Sequence, residues 1–573
     1  MTAQPNQPDI ANPFRIPATL TTRNKRMTNV VMIGGAVALL LIIVAIFVVE
    51  NAGNSGNSTP NQPTVTTATS AISHENALPG STDWRITSDT YAAQGEIAGY
   101  ASAVSVNLGG NVQFAVSTKV AGTAYTVQLF RLGYYQGLGA RQVMEIDTQV
   151  GQAQGWYVDH TYLANEPDLP PQHCATCISD PHDAFGNHTY LVDAHWHFTQ
   201  KVTIPTNWVS GIYVALLTTQ AHKQSYIPFI VRDDSSHSPY LFQANVATWE
   251  AANSWGGTNF AGTWDGTNEN VGLRARIVSF NRPYVAGYGA GQLFFAEYNM
   301  LRFLEAKGYD VTYTTNVDIS AQPRVLTQHA SFILAGQDEF WDIGERNAIQ
   351  SAVKSGMDLL AFAGKEAYKK VRYQADSTGA ANRYEVDYRV NEYHDVIDPA
   401  DPHNTSATMA TGVWRGAPIN WLENNLFGED WQNGTTNTFK MPADMQVKST
   451  TSWVFHQTGL HDGNKIVGIV GAYFDTLVYD ATTPAHLKIY AASKVSSSGQ
   501  TANTVLYYPT KQNFVFDAGT ADWSFGIDDF SKFSPRVNFT VPTDPRLQQW
   551  TVNLLNAVTS PTVYATEAAN AHP

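Results

Sequence analysis

The sequence predicts an N-terminal transmembrane helix, then a β-sandwich domain, then an α/β domain built on an open sheet. Three observations predict this. Val30 to Val49 is an uncharged, apolar run of 20 residues. Between about 83 and 232 the apolar residues come in short, alternating stretches separated by turn residues. After Tyr240 the period lengthens, and strand-like and helix-like stretches take turns. Of 573 residues, 43% are hydrophobic and 15% charged, too apolar for a disordered chain and enough for sizeable cores. A net charge of −14 with no basic block excludes a nucleic-acid binder, because phosphate contact needs clustered Lys and Arg.

The apolar run comes first. A helix rises 1.5 Å per residue, so this one would span about 30 Å, the thickness of the hydrocarbon layer. A core helix would be amphipathic, whereas this one is apolar all round. Arg15, Arg23, Lys25 and Arg26 precede it against Asp9 alone, and only Glu50 follows closely. The positive flank stays in the cytoplasm. Residues 1–27 therefore read as a cytoplasmic tail and 28–50 as a single-pass anchor, with the bulk of the chain extracytoplasmic. A cleaved signal peptide would have a shorter apolar core, about 7–15 residues, and a small-x-small site. Residues 51–82 are rich in Asn, Ser, Thr, Gly and Pro and read as a flexible stalk.

The sandwich is assigned to 83–235. Val104–Leu108, Val112–Val116, Tyr125–Phe130, Val202–Ile204 and Tyr213–Leu216 are its strand-like runs, and their spacing suggests an antiparallel arrangement. Pro228–Val231 reads as its last strand. The α/β domain is assigned to 236–560, with 561–573 a tail. Phe294, Tyr298, Leu301 and Leu304 recur at helical spacing until Gly308. Val311–Thr314, Ser331–Ala335 and Leu359–Ala363 read as strands. Between the last two, Asp342 can cap a helix carrying Ile349 and Val353 that Gly356 ends. Strand, helix and strand at this spacing make a right-handed crossover between parallel strands.

Open α/β sheets bind ligands outside the carboxyl ends of their strands. Two such ends are polar here, Gly336-Gln-Asp-Glu-Phe-Trp341 and Gly364-Lys-Glu-Ala-Tyr368. Asp338, Glu339, Lys365 and Glu366 are therefore candidates for one crevice, as acids, bases or metal ligands. The competing reading has Asp338 and Asp342 capping the helix and Lys365 and Glu366 in water. Cys174 and Cys177 form a C-x-x-C with His182 and His188 nearby. Zinc needs four placed ligands and no second C-x-x-C exists, so a local disulfide is expected, with zinc or free thiols as the alternatives. His195 and His197 read as alternating on an edge-like strand.

Several ordered segments resemble the N,N-dimethylformamidase large (β) subunit-like family. They are Phe130-Arg-Leu-Gly-Tyr-Tyr-Gln-Gly-Leu-Gly-Ala-Arg141, Ser225-Tyr-Ile-Pro-Phe-Ile-Val-Arg-Asp-Asp234, Asn253-Ser-Trp-Gly-Gly257 and Ser279-Phe-Asn-Arg-Pro-Tyr284. Gly308–Tyr313, Gly336–Trp341, Thr411-Gly-Val-Trp-Arg415 and Phe516-Asp-Ala-Gly-Thr520 continue the resemblance, which covers roughly 77–558. It implies a β-sandwich followed by a glutamine-amidotransferase-like α/β domain. It also implies a mononuclear iron held by two tyrosines and a glutamate, with a histidine two positions before the glutamate assisting amide hydrolysis. The glutamate falls on Glu339. The histidine position holds Gln337, which takes no proton near neutral pH, and one tyrosine position holds Phe260. The second tyrosine has no assigned position. Lys365 stands where the family usually has asparagine, and Tyr473 where a later Gly-Tyr-Glu-x-Asp pattern has its glutamate.

The iron site thus reads as degenerate, and no cofactor is expected; the alternative is a retained iron, with Glu339 as its metal ligand. Two functions follow. One is a surface binding or adhesion protein that meets a glycan, peptide or small amide ligand. The other is an exported hydrolase of amide C–N bonds using Glu339, Asp338 and Lys365, with Gln337, Glu366 and Tyr473 beside them.

Overall fold

The computed structural model describes residues 70–157, 173–179, 183, 186, 188–264, 269–270, 274–388, 398–432, 434–435, 442–530 and 540–572. The run Val30–Val49 and residues 51–69 of the expected stalk lie outside them, whereas Ala71–Asn76, expected as stalk, forms a helix with Ile72, Glu75 and Asn76 buried. Among the described residues no helix is long and apolar enough to cross a membrane.

Eight strands build the sandwich: β1 Ile97–Ala101, β2 Ser105–Asn107, β3 Asn111–Thr118, β4 Ala124–Leu132, β5 Ala140–Val150, β6 Gln200–Thr203, β7 Gly211–Thr219 and β8 Gln224–Arg232. They form two sheets, β1-β3-β6 and β2-β8-β7-β4-β5. Alternate residues point inward, so Val112, Phe114 and Val116 meet Val127, Leu129, Leu217 and Phe229 between the sheets. The arrangement departs from the expected antiparallel one at a single pairing, where β2 runs parallel to β8. β1 and β5 are strands that the apolar pattern missed. β5 is mostly half-exposed and carries little alternation, as in Arg141-Gln-Val-Met-Glu-Ile146.

The second layer is a seven-stranded sheet. Its strands are β9 Tyr240–Ala244, β10 Val311–Thr315, β11 Ser331–Gln337, β12 Asp358–Gly364, β13 Lys488–Lys494, β14 Thr501–Thr510 and β15 Asn513–Asp517, ordered β10-β9-β11-β12-β15-β14-β13. The first five in that order run parallel, β14 runs antiparallel to β15, and β13 in turn runs antiparallel to β14. Covering helices are α1 Val246–Ala251, α2 Glu297–Ala306, α3 Asn316–Ala321, α4 Ile343–Lys354 and α5 Pro545–Thr559. The β11–α4–β12 crossover forms as its spacing predicts. The Asp342 carboxylate caps α4 by accepting from the Glu345 amide at 2.8 Å, and Ile349 and Val353 are buried.

The two layers share one core, in which Trp84, Phe130, Ile212 and Tyr226 pack with Phe242, Phe294, Tyr298 and Tyr313. At the seam the Arg131 guanidinium of β4 makes a bidentate pair with Glu305 of α2, at 2.7 and 2.9 Å, both side chains wholly buried. Tyr313 and Asn76 also donate to Glu305, at 2.8 Å each. Asn76 ends a short helix, Ala71–Asn76, in which Glu75 accepts from Tyr135 at 2.7 Å.

Cys174 and Cys177 are joined by a disulfide, with Cα atoms 5.4 Å apart. The His195–His197 segment is not a strand. His195 has φ +52° and its Nε2 meets Ser377 Oγ at 2.7 Å, while Trp196 turns inward onto Trp255. The two histidines therefore do not share a strand face.

Candidate functional site

Three parallel strands deliver polar residues to the carboxyl edge of the sheet. β11 ends in Gln337, followed by Asp338 and Glu339. β12 ends in Gly364, followed by Lys365 and Glu366, and β15 ends in Asp517. Gly364 is needed for close approach, because a Cβ there would lie 2.8 Å from both the Ala521 amide and the Tyr473 carbonyl. Two loops thus close over the end of β12. Lys365 and Ala367 adopt left-handed φ of +65° and +45°, conformations costly for residues other than glycine and held only by dense surroundings.

The strained backbone turns Lys365 inward. Its ammonium lies 3.0 Å from Glu339 Oε2, with side-chain exposures of 1% and 4%. The same Glu339 oxygen accepts from the Gln337 amide at 2.7 Å. Around the ammonium stand the rings of Trp431, Tyr473 and Tyr368, with centroids at 4.0, 4.6 and 5.5 Å. Their negative faces stabilise the cation where water is excluded. The pairing of Lys365 with Glu339 follows from two polar strand ends joined by one crossover, and both charges are buried rather than solvated.

Asp338 and Glu366 point elsewhere, so the four candidates do not form one crevice. Asp338 turns beneath the sheet edge toward Glu345 of α4. Gln243 donates to both carboxylates at 2.8 Å, and Asn316 donates to them at 3.1 and 2.8 Å. Burial pushes the Asp338 carboxyl up to about 6, against the opposing hydrogen bonds from Asn316 and Gln243. Burial and then the Asp338 charge raise Glu345 well above the ordinary range. This is a buried acid pair bridged by two amides, and it does not cap α4. Glu366 faces Asp475 and Asp517 instead. Burial raises all three; repulsion from its neighbours adds to it at Glu366 and Asp517, whereas hydrogen bonds from the Lys365 amide and from Glu366 oppose it at Asp475, which reaches about 6.

The donor set does not fit the family's iron. The one retained ligand position, Glu339, has an ammonium and an amide N–H against its Oε2, which leaves Oε1 as its single oxygen without a hydrogen-bond partner, and the ammonium already holds the place of a cation. Phe260 is buried with its ring 5.7 Å from that of Phe340 and offers no oxygen. Tyr368 and Tyr473 present ring faces to a cation that is already there. Sequence reasoning missed Trp431, Tyr368, Glu345, Glu429 and Asp517 as members of this region. Asp517 carried a signal, since the apolar run Phe514-Val-Phe516 ends in a polar residue and then Ala-Gly, as β11 and β12 end in Ala-Gly before theirs.

A groove of about 690 Å³ opens at the opposite, amino edge of the sheet, lined by Leu326, Ala348, Met357, Asp358 and Tyr564 among others. None of the candidate residues reaches it.

Comparison with known proteins agrees with the motifs. A search of curated proteins finds no match. Among solved structures, superoxide reductase (neelaredoxin) from Ignicoccus hospitalis is 12% identical with a TM-score of 0.13, over 24% of this chain and 82% of that one. A Paenibacillus sp. cycloisomaltooligosaccharide glucanotransferase complexed with cycloisomaltoheptaose is 10% identical with a TM-score of 0.14, over 39% of this chain and 27% of that one. Likenesses this slight carry no argument. Residues 126–536, most of the chain and all of the strand ends described above, match the N,N-dimethylformamidase beta subunit-like, C-terminal family, and the chain belongs to that family.

Proposed function

We propose that this chain is a membrane-anchored, extracytoplasmic member of its family that has exchanged the iron-dependent amidohydrolase centre for a buried ion pair. It acts as a surface binding protein for a glycan, peptide or small amide ligand. The observation that carries this reading is the Lys365 ammonium 3.0 Å from Glu339 Oε2, where it supplies the positive charge a metal would bring. The Val30–Val49 run and its basic flank support the anchor. The test is metal analysis of the purified full-length protein with an assay of N,N-dimethylformamide hydrolysis. Iron should stay at trace level and turnover at background. Tightly bound iron that disappears on Glu339→Ala would overturn the exchange. Protease added to intact cells should remove the mass beyond the stalk, and its protection would overturn the topology.

One observation favours a second reading. Lys365 holds a strained backbone at a strand end, a place where strain commonly serves chemistry. On that reading the chain is an exported amide hydrolase with Lys365 and Glu339 as its acid–base pair. Asp338 has no part in it, since its carboxylate is engaged with Gln243 and Asn316. Amide turnover abolished by Lys365→Met would decide for it.

A further inference from the structure

Beside the ion pair, on the far side of the Lys365 backbone, carboxylates from three segments converge. Glu366 follows β12, Asp475 lies in the loop that closes over that strand, and Asp517 ends β15. Their oxygens all lie within 4.8 Å of one another, and all three side chains are buried. Backbone amides hold one oxygen of each aspartate. Lys365 N–H donates to Asp475 Oδ2 and Gly519 N–H to Asp517 Oδ1, both at 2.9 Å. Glu366 Oε1, Asp475 Oδ1 and Asp517 Oδ2 have no hydrogen-bond partner.

A fourth side chain enters from a different element. Glu429 follows the short helix Asn424–Phe427, is 1% exposed, and neither of its carboxylate oxygens has a hydrogen-bond partner. Its Oε1 lies against Gly519, the residue whose amide holds Asp517. A Cβ at Gly519 would stand 2.5 Å from that oxygen, and φ is +57° there, so the turn admits only glycine comfortably. Two protein cations stand nearby, and the Arg415 charge favours the ionised form of Asp475. The Lys365 ammonium points to Glu339, and Arg415 pairs with Glu423 at 3.2 Å. Burying one carboxylate without a partner already costs several kcal/mol. Three in one place, with Glu429 against the neighbouring Gly519, call for a positive charge.

We propose that Glu366, Asp475, Asp517 and Glu429 form a calcium-binding site separate from Glu339. All donors are carboxylate oxygens, with no nitrogen or sulfur, which selects a hard cation over zinc or copper. Calcium takes six to eight oxygens at about 2.3–2.6 Å, so oxygens on opposite sides of it stand up to about 5 Å apart. The oxygens of Glu366, Asp475 and Asp517 fall within that span. Magnesium demands about 2.1 Å and a tighter octahedron. The bound ion ties the ends of β12 and β15 to the 429 and 475 loops, and so steadies the backbone that aims Lys365. The proposal stands independently of the function proposed for the ion pair.

The experiment uses the full-length protein in detergent, stripped with EDTA and dialysed against calcium, magnesium or manganese chloride. Bound metal is measured by mass spectrometry and stability by thermal unfolding. One calcium per chain is expected, with a Tm that rises with calcium concentration. Asp517→Asn and Glu429→Gln should each weaken binding at least ten-fold, while Asp358→Asn, a buried acid at the other edge of the sheet, should bind as wild type does. Wild-type protein that takes up no calcium at millimolar concentration, with an unchanged Tm, overturns the proposal without any variant. Preference for magnesium or manganese overturns the assignment to calcium. Asn and Gln variants that melt higher than wild type with or without calcium show carboxyls held as shared protons, and also overturn it.

Discussion

Replacing Lys365 by Met removes the ammonium and leaves the Glu339 carboxylate buried beside the Gln337 amide. At 3.0 Å and an effective dielectric of about 20, the lost attraction is about 5–6 kcal/mol. Desolvation of the lysine is recovered in part, and removing one member of a buried pair typically costs about 3–5 kcal/mol. Lys365→Met should therefore destabilise the protein by about 3 kcal/mol, near the lower end because Gln337 still donates to Oε2. Glu339→Gln should cost less, about 1–2 kcal/mol, since Trp431 and Tyr473 keep their faces on the cation. The double variant, with neither charge, should be more stable than Lys365→Met alone. Urea unfolding of the four proteins measures the cycle. A cost below about 1 kcal/mol for Lys365→Met, or a double variant no better than it, would refute the account of a dry, mutually dependent pair.

Asp358, at the start of β12, is raised well above the ordinary carboxylate range by burial, against an opposing hydrogen bond from the Phe514 amide. Its folded form holds the proton more tightly than the unfolded chain, so its contribution is full below about pH 4 and is lost as pH rises from there. Asp358→Asn keeps the acceptor oxygen, and should match wild type near pH 4 and exceed it at pH 8 in a Tm-against-pH series. Arg131→Met leaves Glu305 buried with only neutral donors from Tyr313 and Asn76, and should lower stability by about 3–5 kcal/mol in urea unfolding. Cys174→Ser opens a loop with a sequence separation of 3, so the loss should be only about 2 kcal/mol and the protein should still fold. Stoichiometric zinc lost with that substitution would show a metal site instead.

The sheet with its crossover was legible because buried parallel strands are nearly continuous apolar runs, and the caps Asp342 and Gly356 mark the helix between Ala335 and Leu359. Strand ends followed by Gly-Gln-Asp-Glu and Gly-Lys-Glu marked the carboxyl edge of the sheet for the same reason. What each side chain does there was less legible. Consecutive residues leave a strand end in different directions, so Asp338 and Glu339, adjacent in sequence, serve different neighbours. Trp431 and Glu429 come from loops that reach the edge after long detours, and no local pattern carries that information; Tyr473 entered only through the family resemblance. The parallel pairing of β2 with β8 is likewise set by the long-range meeting of Ser105–Asn107 with Ile230–Arg232.

The helix Ala71–Asn76 gives the molecule an unusual point of attachment. Ser70 Oγ donates to the Gly308 carbonyl at 3.4 Å and Asn76 Nδ2 to Glu305, both in the α/β layer, while Glu75 accepts from Tyr135 and Arg141 of the sandwich, each at 2.7 Å. A pull applied through the chain before residue 70 would therefore load both layers in parallel, as a rope spliced into two strands. Neither could be peeled away before the other bore the tension, and a single-molecule stretch from that end should rupture both layers in one event.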